Sequence, residues 1–144
     1  MKPFERQVME ALLVGEHPFL ELLRKQVAPL RIRDRTVTDE GFLLKFDVPS
    51  AFRAVGVPNL MIDDVGFEVF GLVGPVYTVL WVHQGLLDEL ECYGPNDHWP
   101  EFPVIERIFY LRAERRGVDS WSMIPTASRD FPSLTARWAA AGAA

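Results

Sequence analysis

The chain holds one cysteine in 144 residues. No internal disulfide can form, which excludes the cysteine-stapled secreted domains and makes a reducing, cytoplasmic setting the expected one. Histidine is also scarce. His17, His83 and His98 lie far apart, none at the spacing of a zinc motif, so neither a metal nor another cofactor is expected. The start, "MKPFERQVMEALLVGEHPF", is interrupted by Glu5, Arg6 and Glu10 where a signal peptide would run apolar, and no later run is long enough to span a bilayer. A soluble, unprocessed protein with no membrane association follows as the expectation. Phosphate loops are missing too: "GLVGP" has no lysine and no helix after it, and no GxSxG elbow occurs anywhere.

The most informative absence is of positive charge. Residues 54 to 106 contain no Lys or Arg and nine acids, against a net charge of −5 for the whole chain. The flanking blocks compensate, with residues 1 to 53 at +1 and residues 107 to 144 at +3. A middle third of one sign repels phosphate backbones, and no basic stripe concentrates elsewhere, so nucleic acid is not an expected partner. The acids are left to pair with arginines from the flanks or to face a basic protein partner.

What is present suits one domain spanning 1–144. An apolar content of 49% with 24% charged residues is enough to bury a core. In "FERQVMEALLV", Phe4, Val8 and Leu12 recur at helical spacing until Gly15 stops the run. Pro18 suits the first turn of a second helix over 18–28, which Pro29 ends.

From residue 30 the period falls to two. "LRIRDRTV" sets Arg31, Arg33 and Arg35 on one side and pairs through "TDEG" with "FLLKFDV". A loop with one helical turn follows, then strands over "VGFEVFGL" and "VYTVLWVH". The latter enters a hairpin at Gln84-Gly85, because tight two-residue turns need positive φ. With that loop, Trp81 faces Asp88, Val79 faces Leu90 and Tyr77 faces Cys92, which leaves Leu80 and Thr78 beside Glu89 and Glu91. Residues 104 to 113 fit either a closing strand or a helix, and their aromatic and β-branched content favours the strand. The segment 119–144 reads as a loosely attached tail, a proline-interrupted loop and then a short helix over "LTARWAAA", capped by Asp130 or Ser133 and anchored by Trp138. The class is α+β: two N-terminal helices, then a mostly antiparallel sheet of about five or six strands, then a short C-terminal helix.

Candidate chemistry concentrates at "ECYGPNDHWPEF", residues 91 to 102. Cys92, Asp97 and His98 are the types from which a thiol nucleophile and its base are built. Yet Glu91, Asp97 and Glu101 raise a thiol pKa rather than lower it, and alternation with Leu90 turns Cys92 inward. No catalytic residue is assigned. Glu89 and Glu91 are subtler, since one strand face holds them about 7 Å apart, a separation suited to acid and base roles in hydrolysis. Pairing with the arginines at 31, 33 and 35 is the plainer account of them.

Gly41-Phe42, the apolar hairpin with Leu90, Glu91 and Tyr93, and Trp99-Pro100 resemble a pattern in small uncharacterised bacterial α+β proteins. There the hairpin ends in Leu, Glu, a small residue and an aromatic, and Trp-Pro follows an acidic turn. The resemblance covers roughly residues 12 to 111. It implies a compact α+β domain and no established activity, and Cys92 stands where a glycine or other small residue is expected.

The leading expectation is a non-catalytic binding protein, immunity- or inhibitor-like. Its acidic surface of Asp88, Glu89, Glu91 and Asp97, with Trp99 nearby, would engage a basic protein partner. The alternative is a small-ligand-binding protein or hydrolase using Glu89 and Glu91 at the mouth of an aromatic pocket. A homodimer docked through a sheet edge or through the Trp138 helix is a third expectation.

Overall fold

A computed structural model describes residues 1–140. Two helices, α1 (Pro3–Leu13) and α2 (Pro18–Arg24), precede eight strands, and α3 (Phe131–Ala140) closes the chain. The strands are β1 (Arg31–Thr38), β2 (Gly41–Asp47), β3 (Leu60–Ile62), β4 (Val65–Val69), β5 (Val76–His83), β6 (Leu86–Tyr93), β7 (Ile105–Arg115) and β8 (Trp121–Thr126). They form one antiparallel sheet in the order β1-β2-β6-β5-β4-β7-β8, with β3 pairing β5 above β4.

The α+β class and the terminal helices agree with the expectation, and the strand count is larger than the expected five or six. Two strands account for the excess. β3 is only three residues, too short for a period to show. β8 contains Pro125, which reads as loop, but it lies at the sheet's edge, where a missing N–H breaks no ladder. The second helix also ends earlier than expected, at Arg24, and residues 25–29 continue as turns. Asp130 caps α3, its Oδ1 accepting from Ser133 N at 2.9 Å. Ala141, the last residue of the expected helix, lies outside the described residues.

Alternation along β2, β5 and β6 drives the packing. Phe42, Leu44 and Phe46, with Thr78, Leu80 and Val82, and Leu87, Leu90 and Cys92, turn to one side and are buried. The apolar stripe of α1 (Phe4, Val8, Leu12) and Leu20 and Leu23 of α2 join them in one core, which Leu134 and Trp138 of α3 complete. Each fully buried Leu here contributes about 1.5–3 kcal/mol.

The end of α1 is held from far away in the chain. Its last carbonyls find no partner within the helix, and no Schellman turn forms because Val14 is extended. Arg24 donates instead to Leu13 O and Gly15 O, and Arg129 donates to Leu12 O at 2.8 Å and Val14 O at 2.7 Å. Arg129 also forks onto Asp64 with two contacts of 2.7 Å, both side chains almost fully buried. Gly15 cannot be replaced here. Its φ is +129°, and a Cβ would sit 2.0 Å from the Phe131 ring.

Gln26 plays a similar part for the central hairpin. Fully buried, it donates from Nε2 to Gly85 O at 2.8 Å and to Phe52 O at 3.0 Å, while its Oε1 accepts from Leu87 N at 2.8 Å. The turn it clasps has positive φ at both Gln84 (51°) and Gly85 (74°), the type I′ geometry expected of a two-residue loop.

Candidate functional site

Two bulges decide which acids share a face. On β6, Val82 pairs with Leu87 but Trp81 pairs with Glu89, so Asp88 is an extra residue and every side chain beyond it changes side. The expected partners are thereby corrected: Glu89 lies across from Trp81, not Leu80, and Glu91 lies across from Val79, not Thr78. Tyr77 meets Tyr93 in place of Cys92, with ring centroids 6.2 Å apart. Cys92 does turn inward, as alternation with Leu90 requires, and is buried.

A second bulge, between Ile32 and Asp34, breaks the expected arginine row. Arg31 stays opposite Asp47, and Arg33 reaches the Asp47 carboxylate at 3.6 Å. Arg35 passes to the core side, where its Nε and Nη2 donate to the buried Glu5 carboxylate at 2.9 and 2.8 Å. None of the three pairs with Glu89 or Glu91, and among the described residues neither carboxylate has an ion-pair partner within 4 Å.

The outer sheet face therefore reads in rows across the strands. One runs Met61, Trp81, Glu89, Lys45, the next Val79, Glu91, Leu43, and the last Tyr77, Tyr93, Gly41. None of these side chains belongs to the core beneath the helices. Met61, Trp81 and Tyr93 are each about two-fifths exposed, so among the described residues no helix layer covers this face. The local field is negative: partial burial pushes the Tyr93 hydroxyl up from its ordinary value, and Glu91 then Asp63 push it further. Half-buried carboxylates beside amphipathic aromatic rings make a surface suited to cationic side chains, through charge and through cation–π contact.

The five residues singled out from sequence are not one cluster. Glu89 and Glu91 share the outer face, and Asp88 is exposed in the bulge beside them. Asp97 stands apart on the following loop, fully exposed, its carboxyl lowered by the hydrogen bond to His98 Nδ1 at 3.0 Å. Trp99 packs on the core side, edge-on to Phe4 and Phe42 with centroids 5.8 and 5.6 Å away. Trp138 is spent internally as well, stacked on Phe19 and donating to Met61 O at 2.6 Å.

Thiol chemistry has no footing at Cys92: burial pushes the thiol far up, and Glu5 and Glu91 add to the effect. Among the described residues no three His, Cys, Asp or Glu converge to hold a metal ion, and no helix is long and apolar enough to cross a membrane. Two cavities, one at the start of α1 and one between α1 and α2, are lined by neither Glu89 nor Glu91. Sequence reasoning missed the partners Glu5–Arg35 and Asp64–Arg129, which lie 30 and 65 residues apart, a separation at which no spacing rule operates. Comparison with protein families, with curated proteins and with solved structures finds no match to this chain, so the resemblance of the hairpin and its Trp-Pro turn rests on those short motifs.

Proposed function

We propose that this is a non-catalytic binding protein, immunity- or inhibitor-like, which docks a basic protein partner on its helix-free sheet face. The observation that carries this reading is the placement of Glu89 and Glu91, half-buried and without ion-pair partners, between Trp81 on one row and Tyr77 and Tyr93 on another. Aromatic rings at the centre of an interface supply contact area at low entropic cost, and desolvated carboxylates supply orientation and selectivity against acidic partners. Of the nine acids in the run of 53 residues without a cation, Asp63, Asp64 and Glu68 are paired with arginines from the flank, while Asp88, Glu89 and Glu91 keep this strand negative, which steers a cationic partner before contact. Lys45, the one base in the central rows, sits at the far end from Trp81 and Met61.

The test compares binding partners captured by the wild-type protein with those captured by Glu89→Lys/Glu91→Lys and by Asp119→Lys, an exposed control in the β7–β8 turn. A basic protein bound by the wild type should lose about 100-fold in affinity to the double reversal, and should weaken further as salt rises. The control should bind it normally. A partner held equally by all three proteins, or an acidic partner, would count against the assignment.

A further inference from the structure

We propose that the cavity at the start of α1 is a binding site for a small amphipathic carboxylate, its apolar body among aromatic rings and its anion at Arg35 and Lys2. The site is separate from the sheet face and does not depend on it. Its volume, near 580 Å³, falls in the range of small-molecule sites. Phe4, Phe42 and Trp99 form its wall as three mutually edge-on rings, with centroids 5.6 to 5.8 Å apart.

Apolar side chains that water would ordinarily disfavour gather at its rim. Phe102 is 82% exposed, Val104 60% and Val37 56%, and all three line this one cavity. They come from two separate segments, the end of β1 and the loop before β7, so the chain has brought them together without burying them. A bound apolar body would remove that surface from water.

The polar groups of the cavity select the sign of the ligand. Glu5 is buried and already satisfied: Oε1 accepts from Arg35 Nε at 2.9 Å, and Oε2 accepts from Arg35 Nη2 at 2.8 Å and from Lys2 N at 2.7 Å. The charge of that carboxylate is already matched by the Arg35 guanidinium, so it gives a cationic ligand little. Arg35 is different, because its Nη1 makes no hydrogen bond among the described residues. The Lys2 ammonium likewise has no ion-pair or hydrogen-bond partner there. Glu5 thus fixes the guanidinium through two of its nitrogens and leaves the third, with Lys2 beside it, to receive an anion. Glu101 lies exposed on the same rim, and its charge disfavours ligands with more than one negative group.

The experiment uses octanoate, octanol and octylamine as probes against the full chain, followed by the Trp99 indole resonance in an NMR titration. Octanoate should shift that resonance with a dissociation constant below about 1 mM, which a ligand of about ten heavy atoms reaches at ordinary efficiency. It should bind at least 5-fold more tightly than octanol or octylamine. Lys2→Glu should remove that preference without altering octanol binding. Val37→Trp places a ring in the cavity from an exposed position that tolerates it, and should abolish the shift while the rest of the spectrum stays folded. Equal or tighter binding of octylamine, an unmoved Trp99 resonance, or octanoate binding unchanged in Val37→Trp would each overturn the proposal.

Discussion

Arg129→Met removes the side chain that joins the two ends of this protein. In the wild type its guanidinium satisfies Asp64 through two contacts of 2.7 Å and takes up the carbonyls of Leu12 and Val14, which α1 cannot satisfy itself. Arg129 and Asp64 side chains are 5% and 1% exposed, so solvent cannot replace what the substitution takes away. Breaking one side of such a pair costs about 3–5 kcal/mol, because the carboxylate stays buried without its cation. Against a total stability of about 5–15 kcal/mol this is a large share. It corresponds to a fall of about 10–15 °C in Tm for a chain of this size. Urea unfolding followed by tryptophan fluorescence measures it, since Trp138 reports from α3, which begins two residues after Arg129. Arg129→Lys keeps the charge but not the fork, and should recover less than half of the loss. Asp64→Asn/Arg129→Met should be more stable than Arg129→Met alone, because no unpaired charge remains. A single-variant loss below about 1 kcal/mol, or a double variant that loses the sum of the two singles, would refute this account of how α3 is fastened.

Three further outcomes follow from the same structure. Gln26→Leu leaves Leu87 N without an acceptor and frees the hairpin turn from the loop at Phe52, and should cost about 2–3 kcal/mol in urea unfolding; a neutral result would show that the clasp contributes nothing. Cys92 should resist a disulfide-exchange reagent in the native protein and react on unfolding, given its burial and raised pKa; labelling of the folded protein within minutes would contradict it. His17 caps α2 by accepting from Phe19 N at 3.1 Å, and burial lowers its pKa from 6.5. The unfolded chain therefore binds the proton more readily, so this contribution is complete above pH 6.5 and is lost as pH falls through the lower folded value. His17→Asn, which can still cap, should flatten the stability profile between about pH 5 and 7, and an unchanged slope would assign it to other groups.

The helices and the longer strands were legible because each is set by neighbours in sequence. Phe4, Val8 and Leu12 repeat at the helical period, Pro18 opens α2, and the glycine of Gln84-Gly85 marks a tight turn. The inward direction of Cys92 followed from alternation with Leu90 in the same way. Alternation fails as a guide at a bulge. One extra residue at Asp88 put Glu89 and Glu91 beside Trp81 and Val79, and another between Ile32 and Asp34 turned Arg35 to the helix side, onto Glu5, and dissolved the arginine row. No local signal marks either place, since a bulge is chosen by the packing that the shifted side chains gain.

By itself the sequence determined the class of fold, the order of its main elements and the acidic middle third, all of which depend on composition or short-range period. The tertiary structure decided which acids are paired, which face the helices leave open and where a cavity forms. Those depend on contacts such as Glu5 with Arg35 and Asp64 with Arg129, made between residues that meet only when the sheet has closed over its helices.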